Sequence, residues 1–377
     1  MNNKLLKDIE TPNTMNLILE DGSIFKGKSF GNETESIGEV VFNTSMTGYQ
    51  EMLTDPSYSG QIVISTYPLI GNYGINKIDF ESNKIQIAGF VIKNLCLEPS
   101  HNSSEFTLNE FLKSQSIPGV YDVDTRALTK KIRQKGVMSG KISKVNSTDK
   151  FFCELKNSTP YNQTNFVYKT STDKNYNWES KSTNTSQKNI QKLKIVVMDF
   201  GLKYNILRVL ESKGCEVIVV PANSTKEKIL RLNPDGIVLS PGPGDPSLLN
   251  DIVNVVKQLP PQLPILGICL GNQILAQVFG AKTFKLKFGH RGSNHPVKDM
   301  KSGMINITSQ NHGYSINAES LPSELEITHI NLNDGTIEGM RHKTLPIMSI
   351  QFHSEASPGP KDNEYIFDDF LNLIEKK

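Results

Sequence analysis

Gly267-Ile268-Cys269-Leu270-Gly271 joins the apolar run Pro264-Ile265-Leu266 to a helix-like stretch from Asn272 to Phe279. A Gly-x-nucleophile-x-Gly pentapeptide between a strand and a helix is a nucleophile elbow, and it ties the surrounding chain to a sheet flanked by helices. The glycines are expected to let the backbone turn sharply, so that the central side chain stands clear at the end of the strand. Here that side chain is a thiol. At the start of a helix it would meet the dipole and the free N–H groups that favour a thiolate. For the pentapeptide alone, a buried structural cysteine between packing glycines is the competing reading.

A nucleophilic thiol needs a base, and the base needs a group that orients it. Gln351-Phe352-His353-Ser354-Glu355 follows a plausible buried strand, Leu345 to Ile350. Residues i and i+2 point the same way in extended chain, so Glu355 is expected to hold one ring nitrogen of His353 and leave the other for Cys269. An isolated His-x-Glu is usually a surface feature, and its weight comes from the elbow in the same stretch of chain. A third element, Ser240-Pro241-Gly242-Pro243-Gly244-Asp245-Pro246, follows the apolar run Gly236 to Leu239. Its prolines fix a loop and its glycines allow close backbone approach to a ligand, so it could aim N–H groups at an oxyanion. Three strands, each followed by such a segment, fit active loops at the carboxyl ends of a parallel sheet.

The pattern changes along the chain. Leu17 to Ile87 carries short β-like runs, such as Gln61-Ile62-Val63-Ile64-Ser65, punctuated by Asp21-Gly22 and Thr47-Gly48, and Thr125 to Gln134 reads as a helix. Lys156 to Gln191 is rich in Asn, Ser, Thr and Lys and can bury little, although Tyr161, Phe166, Tyr168 and Trp178 could pin it to a surface. From Leu193 strands alternate with helices. The expected organisation is an N-terminal domain over 1–153, a linker over 154–190 and an α/β domain over 191–377.

Composition excludes several classes. With 41 basic and 39 acidic residues the net charge is +2, which calls for neither nucleic acid nor an anionic membrane. No apolar run approaches the roughly 20 residues that span a bilayer. Cys96, Cys153, Cys215 and Cys269 are widely spaced, which suits a reducing compartment without a disulfide frame. Gly136-Val137-Met138-Ser139-Gly140-Lys141-Ile142 only superficially resembles a phosphate loop: it is one residue short between the glycines, and Ile142 replaces the required hydroxyl. His290 and His295 straddle Gly292 without a third ligand at suitable spacing, so no metal site is expected.

Residues of roughly 191 to 377 resemble a class I glutamine amidotransferase domain with a Cys–His–Glu triad. The segments from Gly38 to Glu51, Asp55 to Ser59, Tyr67 to Gly74 and Asp122 to Arg126 resemble the carbamoyl-phosphate synthase small-subunit family, as do Lys287 to Val297 and Gln310 to Gly313. The likeness covers nearly the whole chain except the middle linker. It implies a C-terminal α/β domain with a mostly parallel sheet flanked by helices, preceded by a β-rich α+β N-terminal domain that contacts a partner and completes the glutamine pocket.

The resemblance also implies roles. Cys269 would be the nucleophile, His353 the base and Glu355 its orienter. Ser57, Gly242, Gly244, Leu270, Gln273, Asn311, Gly313 and Tyr314 would hold L-glutamine, with Ser57 reaching in from the first domain. Ammonia would pass through a tunnel to a large subunit, in a heterodimer or a higher oligomer of it. That partner would use ATP and Mg to make carbamoyl phosphate from bicarbonate, for arginine and pyrimidine synthesis. This chain would carry no cofactor of its own. Asn272, Phe352, Ser354 and Pro241 depart from the common pattern, where histidine, glycine, proline and asparagine are usual. A glutaminase of another amidotransferase, such as anthranilate synthase, would leave the first 150 or so residues unexplained. A non-catalytic assembly subunit is opposed by the intact triad. Met1 to Met15 makes a poor transit peptide, and the Asn-, Lys- and Ile-rich composition points to a gene carried within a plastid or to a bacterial cytoplasm, with the plastid favoured.

Overall fold

The computed structural model describes residues 13–145, 147–179 and 192–375, and these form two units that interleave along the chain. One takes its residues from Met1–Leu53, Gly60–Asp79 and Ile87–Thr159, the other from Thr54–Ser59, Phe80–Gln86 and Pro160–Lys377. Two short pieces of the first half thus group with the second unit. The expected linker is divided as well. Its start completes a helix of the first unit, Thr148–Asn157, and residues 160–179 join the second. Residues 180–190, the rest of that linker, and residues 1–12, most of the stretch weighed as a transit peptide, lie outside the described residues.

In the first unit β1 (Thr14–Leu19), β2 (Ile24–Gly31), β3 (Ser36–Asn43), β4 (Gln61–Ser65), β6 (Gly89–Val91), β8 (Pro118–Tyr121) and β9 (Met138–Ser143) close into a barrel in the order β1-β2-β8-β6-β4-β3-β9, while β5 (Leu69–Ile70) and β7 (Asn94–Leu95) form a small ribbon. Closure leaves the barrel without a free edge. Asp21-Gly22 turns β1 into β2, with Gly22 at φ +82° as that turn needs. The helix Thr125–Lys135 begins where Asp124 accepts a hydrogen bond from the Ala127 N–H at 2.9 Å, and it buries Leu128 and Ile132 one turn apart. The stretch set aside as a phosphate loop runs into β9, where the Lys141 ammonium sits 2.7 Å from Glu35 and 2.5 Å from Glu154.

The second unit is built on ten strands: β10 (Tyr176–Asn177), β11 (Lys194–Asp199), β12 (Glu216–Pro221), β13 (Gly236–Leu239), β14 (Ile265–Ile268), β15 (Thr283–Asp299), β16 (Ile305–Ile316), β17 (Leu325–Asn331), β18 (Ile337–His342) and β19 (Ile347–Ile350). Their order is β10-β12-β11-β13-β14-β19-β18-β17-β15-β16. From β12 through β19 the pairings are parallel, and this is the expected sheet. Antiparallel β18, β17, β15 and β16 extend it on one side. The parallel strands are apolar on both faces. In β11, Val196 and Met198 join one core and Ile195 and Val197 the other. Helices Asn250–Lys257 and Leu270–Val278 cover the first face through Ile252, Val256, Ile274 and Leu275, and helices Tyr204–Ser212 and Tyr365–Glu375 cover the second through Ile206, Leu210, Phe367 and Phe370. Each such side chain, removed from water, contributes about 1.5–3 kcal/mol.

The polar stretch before β11 is docked to this unit by specific contacts. Asp199 accepts from the Thr172 N–H at 2.8 Å, the Trp178 indole donates to Glu211 at 3.0 Å, and β10 pairs with β12. All four aromatics that the sequence suggested as pins are engaged: Tyr161 stacks on Phe166, the Tyr168 hydroxyl donates to Asp251, and Trp178 packs on Tyr204.

Candidate active site

The neighbouring strands β11, β13, β14 and β19 run in parallel, so the segments that follow them emerge side by side at one edge of the sheet. Those segments hold Lys203, the Ser240–Pro246 loop, Cys269, and Gln351–Glu355. This is where a parallel sheet builds its sites.

Cys269 is 2% exposed and takes φ +52°, ψ −101°, a region that L-residues rarely occupy. The strain of the elbow therefore falls on the cysteine, and the flanking glycines serve a different purpose from the one expected. A Cβ on Gly271 would stand 2.2 Å from the Leu239 carbonyl oxygen, and one on Gly267 would stand 2.7 Å from the Gly271 backbone. They allow the helix Leu270–Val278 to lie close against β13 and β14. The Cys269 N–H donates to the Ile350 carbonyl at 2.8 Å, and the Gly271 N–H donates to Ser240 at 3.2 Å, which fixes the elbow between two neighbouring strand ends.

His353 is pinned to β16 by its N–H, which donates to the Ser309 carbonyl at 2.9 Å. Its Nδ1 lies 2.7 Å from Glu355 Oε1, and its Nε2 is buried with no hydrogen-bond partner. The pair is not made along extended chain. Residues 353 to 356 form a turn, closed by the Ala356 N–H donating to the His353 carbonyl at 3.1 Å, which brings the carboxylate back to the ring. Burial disfavours the imidazolium, but the Glu355 carboxylate outweighs it, with a further push from the Cys269 side chain, and the His353 pKa lies well above that of a free imidazole. Burial likewise acts against the Glu355 anion, yet the Lys203 and His353 charges hold its pKa below the usual carboxylate range.

Lys203 was missed in the sequence. It is 3% exposed, and its Nζ lies 3.0 Å from Glu355 Oε1 and donates to the Ala356 carbonyl. Asn205 donates to the Glu355 carbonyl, and its N–H donates to Glu81 at 3.0 Å. Glu81 is also gripped by Arg208 at 3.0 Å. The available signal was position: Gly201-Leu202-Lys203-Tyr204-Asn205 follows the first parallel strand directly, at the edge where functional loops gather.

The residues assigned to glutamine fall into groups. Leu270 and Gln273 open the helix after Cys269, and Gln273 Nε2 donates to the Tyr314 carbonyl at 2.9 Å. A Cβ on Gly242 would stand 2.4 Å from the Phe200 carbonyl and 2.7 Å from Leu270, so this loop runs close over the elbow, and Gly244 takes φ +93°. Asn311 presents its carbonyl 3.8 Å from Cys269 Sγ, while its amide donates to Asp55 at 2.7 Å. Asp55 in turn accepts from the Ser57 N–H at 2.9 Å. Ser57 is 6% exposed, with a hydroxyl that has no hydrogen-bond partner. It belongs to the segment Thr54–Ser59, which groups with the second unit. Gly313 and Tyr314 continue β16 beyond Asn311.

Behind β16 lies a buried polar network. His290 Nε2 is 2.8 Å from Asp334 and its Nδ1 3.5 Å from Glu338. Burial opposes its charge, but these carboxylates raise the His290 pKa to about 9. His290, His312 and Glu338 are the described side chains whose donor atoms lie close enough to hold a metal ion. Both His312 nitrogens are already engaged, at 2.8 Å from the Tyr314 carbonyl and 2.8 Å from Gln310, and both Glu338 oxygens accept amide donors, from Gln310 and Asn331. The donor set is thus committed to hydrogen bonds and fits a structural network better than a metal site.

Comparison with known proteins adds to this geometry. Residues 17–142 match the family described as carbamoyl-phosphate synthase small chain, CPSase domain, and residues 196–373 match class-I glutamine amidotransferase. The chain is 50% identical over 362 residues to the carbamoyl phosphate synthase small chain of Fusobacterium nucleatum subsp. nucleatum, covering 95% of this chain and 98% of that one. It is 48% identical over 364 residues to that of Aquifex aeolicus, covering 95% and 98%. It is 49% identical over 359 residues to that of Bacillus caldolyticus, covering 95% and 96%. All three relatives are bacterial, which goes against the plastid expectation.

Proposed function

The chain belongs to the carbamoyl phosphate synthase small-chain family and carries a class I glutamine amidotransferase domain, and from that premise we propose that Cys269, His353 and Glu355 hydrolyse L-glutamine to glutamate and ammonia. The observation that carries this reading is the buried His353 ring, which interacts with the elbow cysteine while its Nδ1 is held by Glu355.

The Cys269 thiolate attacks the side-chain amide carbon and forms a tetrahedral intermediate. Backbone N–H groups of Leu270 and of the Gly242–Gly244 loop receive the oxyanion. His353, protonated at neutral pH, gives its proton to the leaving nitrogen, and the C–N bond breaks to release ammonia and leave a thioester. The now neutral imidazole takes a proton from water, which attacks the thioester. Glutamate leaves as the sulfur departs, and His353 is again protonated. Glu355 keeps the ring in register throughout, and Lys203 keeps Glu355 ionised. The unpartnered Ser57 hydroxyl and the Asp55–Asn311 bond support the substrate assignment, since they place a free donor and a fixed amide in the same unit as the nucleophile.

The ammonia passes to a large ATP-using partner subunit, which supplies ATP, Mg and bicarbonate chemistry and makes carbamoyl phosphate for arginine and pyrimidine synthesis, in a bacterial cytoplasm. This chain needs no cofactor of its own. The match over residues 17–142 accounts for most of the N-terminal stretch that an anthranilate synthase glutaminase leaves unexplained. The test is acid quenching of the purified chain during turnover, followed by mass analysis. A glutamyl adduct on the Cys269 peptide, with glutamate and ammonia released in equal amounts, supports the proposal. Glutamate release with no adduct on any quench time, or an adduct elsewhere, contradicts it.

A further inference from the structure

Gln351 is fully buried, just beyond β19, and its N–H donates to the Glu338 carbonyl at 2.8 Å. The two ends of its side-chain amide face different neighbours, and which end faces which can be settled by following the hydrogen bonds outward from a fixed acceptor. The Tyr314 backbone carbonyl can only accept, so the Gln273 atom 2.9 Å from it is the donor Nε2. That same Nε2 lies 3.1 Å from Gln351, so the Gln351 atom it meets is the oxygen Oε1. Asn272 donates to this oxygen as well, at 3.1 Å. The Gln351 amino group must therefore face the other way, where it lies 3.6 Å from Cys269 Sγ.

Besides the His353 ring, the sulfur thus has an acceptor beside it, the Asn311 carbonyl at 3.8 Å, and a donor, the Gln351 amide. Loss of the thiol proton removes the contact with the carbonyl and strengthens the one with the amide, because hydrogen bonds to charged groups are the stronger kind. We propose that Gln351 is a catalytic residue: its carboxamide donates to the Cys269 sulfur and holds the thiolate for attack, with Asn272 and Gln273 keeping the amide turned the right way. This rests on the glutaminase reading. It also gives a use to Asn272, one of the departures from the common pattern, and a second use to Gln273 besides any contact with substrate.

The test is alkylation of the full chain by iodoacetamide across a pH series, with each cysteine followed by peptide mass. Gln351→Glu is the first variant. It keeps the acceptor oxygen for Asn272 and Gln273 and replaces only the donor that faces the sulfur. Cys269 alkylation near pH 7 is expected to slow about tenfold or more, its profile moving to higher pH. Exposed Cys153 is expected to be unaffected. Glutaminase kcat should fall in step, with KM for glutamine little changed. Gln351→Met, which lacks any donor, gives the same readout should the first variant not fold. An unchanged Cys269 profile in a folded variant overturns the proposal, even if kcat falls. Because alkylation needs no glutamine, the outcome is separate from the glutaminase reading. A wild-type chain that releases no glutamate but whose Cys269 profile depends on Gln351 would refute that reading and support this one.

Discussion

Lys203 lies between two buried carboxylates, Glu355 on the His353 side and Glu81 on the other, and both of them favour its charge despite its burial. Burial, with the nearby Glu355 charge, pushes Glu81 up, and even with Lys203 and Arg208 beside it the Glu81 pKa stands at about 7. Lys203→Met would leave these carboxylates without their shared cation. It is expected to destabilise the fold by about 3–5 kcal/mol, read from denaturant midpoints, and to lower kcat because Glu355 would no longer hold His353 as an ionised partner. His353→Asn should cost several powers of ten in kcat and Glu355→Gln fewer, since one removes proton transfer and the other mainly orientation; equal, small losses would place the pair outside the chemistry. The ion pair also has a pH signature. Glu355, with its depressed pKa, stabilises the fold above the ordinary carboxylate value of 4.5 and loses that contribution as pH falls below it. His353, with its raised pKa, stabilises below the ordinary 6.5 and loses that contribution as pH climbs towards its higher folded value. The stability difference between wild type and Glu355→Gln should therefore be largest between about pH 4.5 and 6.5 and shrink on either side. The strained backbone of Cys269 makes a further prediction: Cys269→Gly should be more stable than Cys269→Ala by about 1 kcal/mol, because glycine reaches φ +52° at little steric cost.

The elbow is set by how closely one helix lies on two strands. Gly271→Ala would drive a methyl group into the Leu239 carbonyl, a backbone atom that can move only if β13 moves, and is expected to cost at least about 1–3 kcal/mol together with loss of activity. Gly280 also ends up beside this helix, but no atom lies within 4 Å of a Cβ added there, so Gly280→Ala should carry only the backbone penalty of its φ of +92°. Thermal unfolding of both variants separates crowding from strain. The loop elements were legible because each had a local signature: the glycine-flanked cysteine, the Gly/Pro loop and the His-x-Glu each followed an apolar strand. Gln351, Lys203 and Glu81 had none. A single glutamine, lysine or glutamate looks the same in solvent as in a core; the sheet order β11-β13-β14-β19 brings the segments of Lys203 and Gln351 to one edge, and Glu81 reaches them through Asn205 and Arg208. The antiparallel strands β15 to β18 were also not anticipated, because β15 carries polar and charged residues over most of its 17 residues and lacks the apolar run of a buried strand. The docked stretch 160–179 was compositionally a linker, and its order comes from a few hydrogen bonds to Asp199 and Glu211. Trp178 is the chain's single tryptophan, so its emission reports on this docking. Glu211→Ala is expected to shift that emission to the red; an unshifted spectrum would mean that the indole is held by packing on Tyr204 alone.

For the whole molecule, the family resemblance gave the broad division into a β-rich first half and an α/β second half, but sequence order hid how the units are drawn. Thr54–Ser59 and Phe80–Gln86 are enclosed by first-unit segments in the chain and yet group with the second unit, where Asp55 accepts from Asn311 and Glu81 pairs with Arg208. Ser57 and Gly242 thus group in one unit. What remains is division of labour. The stretch once compared with a phosphate loop is barrel strand β9, with Lys141 committed to Glu35 and Glu154, so the isolated chain is expected to show no ATP turnover in a coupled assay. The central claim, that Cys269 liberates ammonia for a partner that does the rest, is tested most directly with the Cys269→Ser variant assembled with its large subunit and assayed for carbamoyl phosphate. The account predicts that formation from glutamine disappears while formation from added ammonia stays near the wild-type rate. Glutamine-dependent formation that survives the substitution would contradict it.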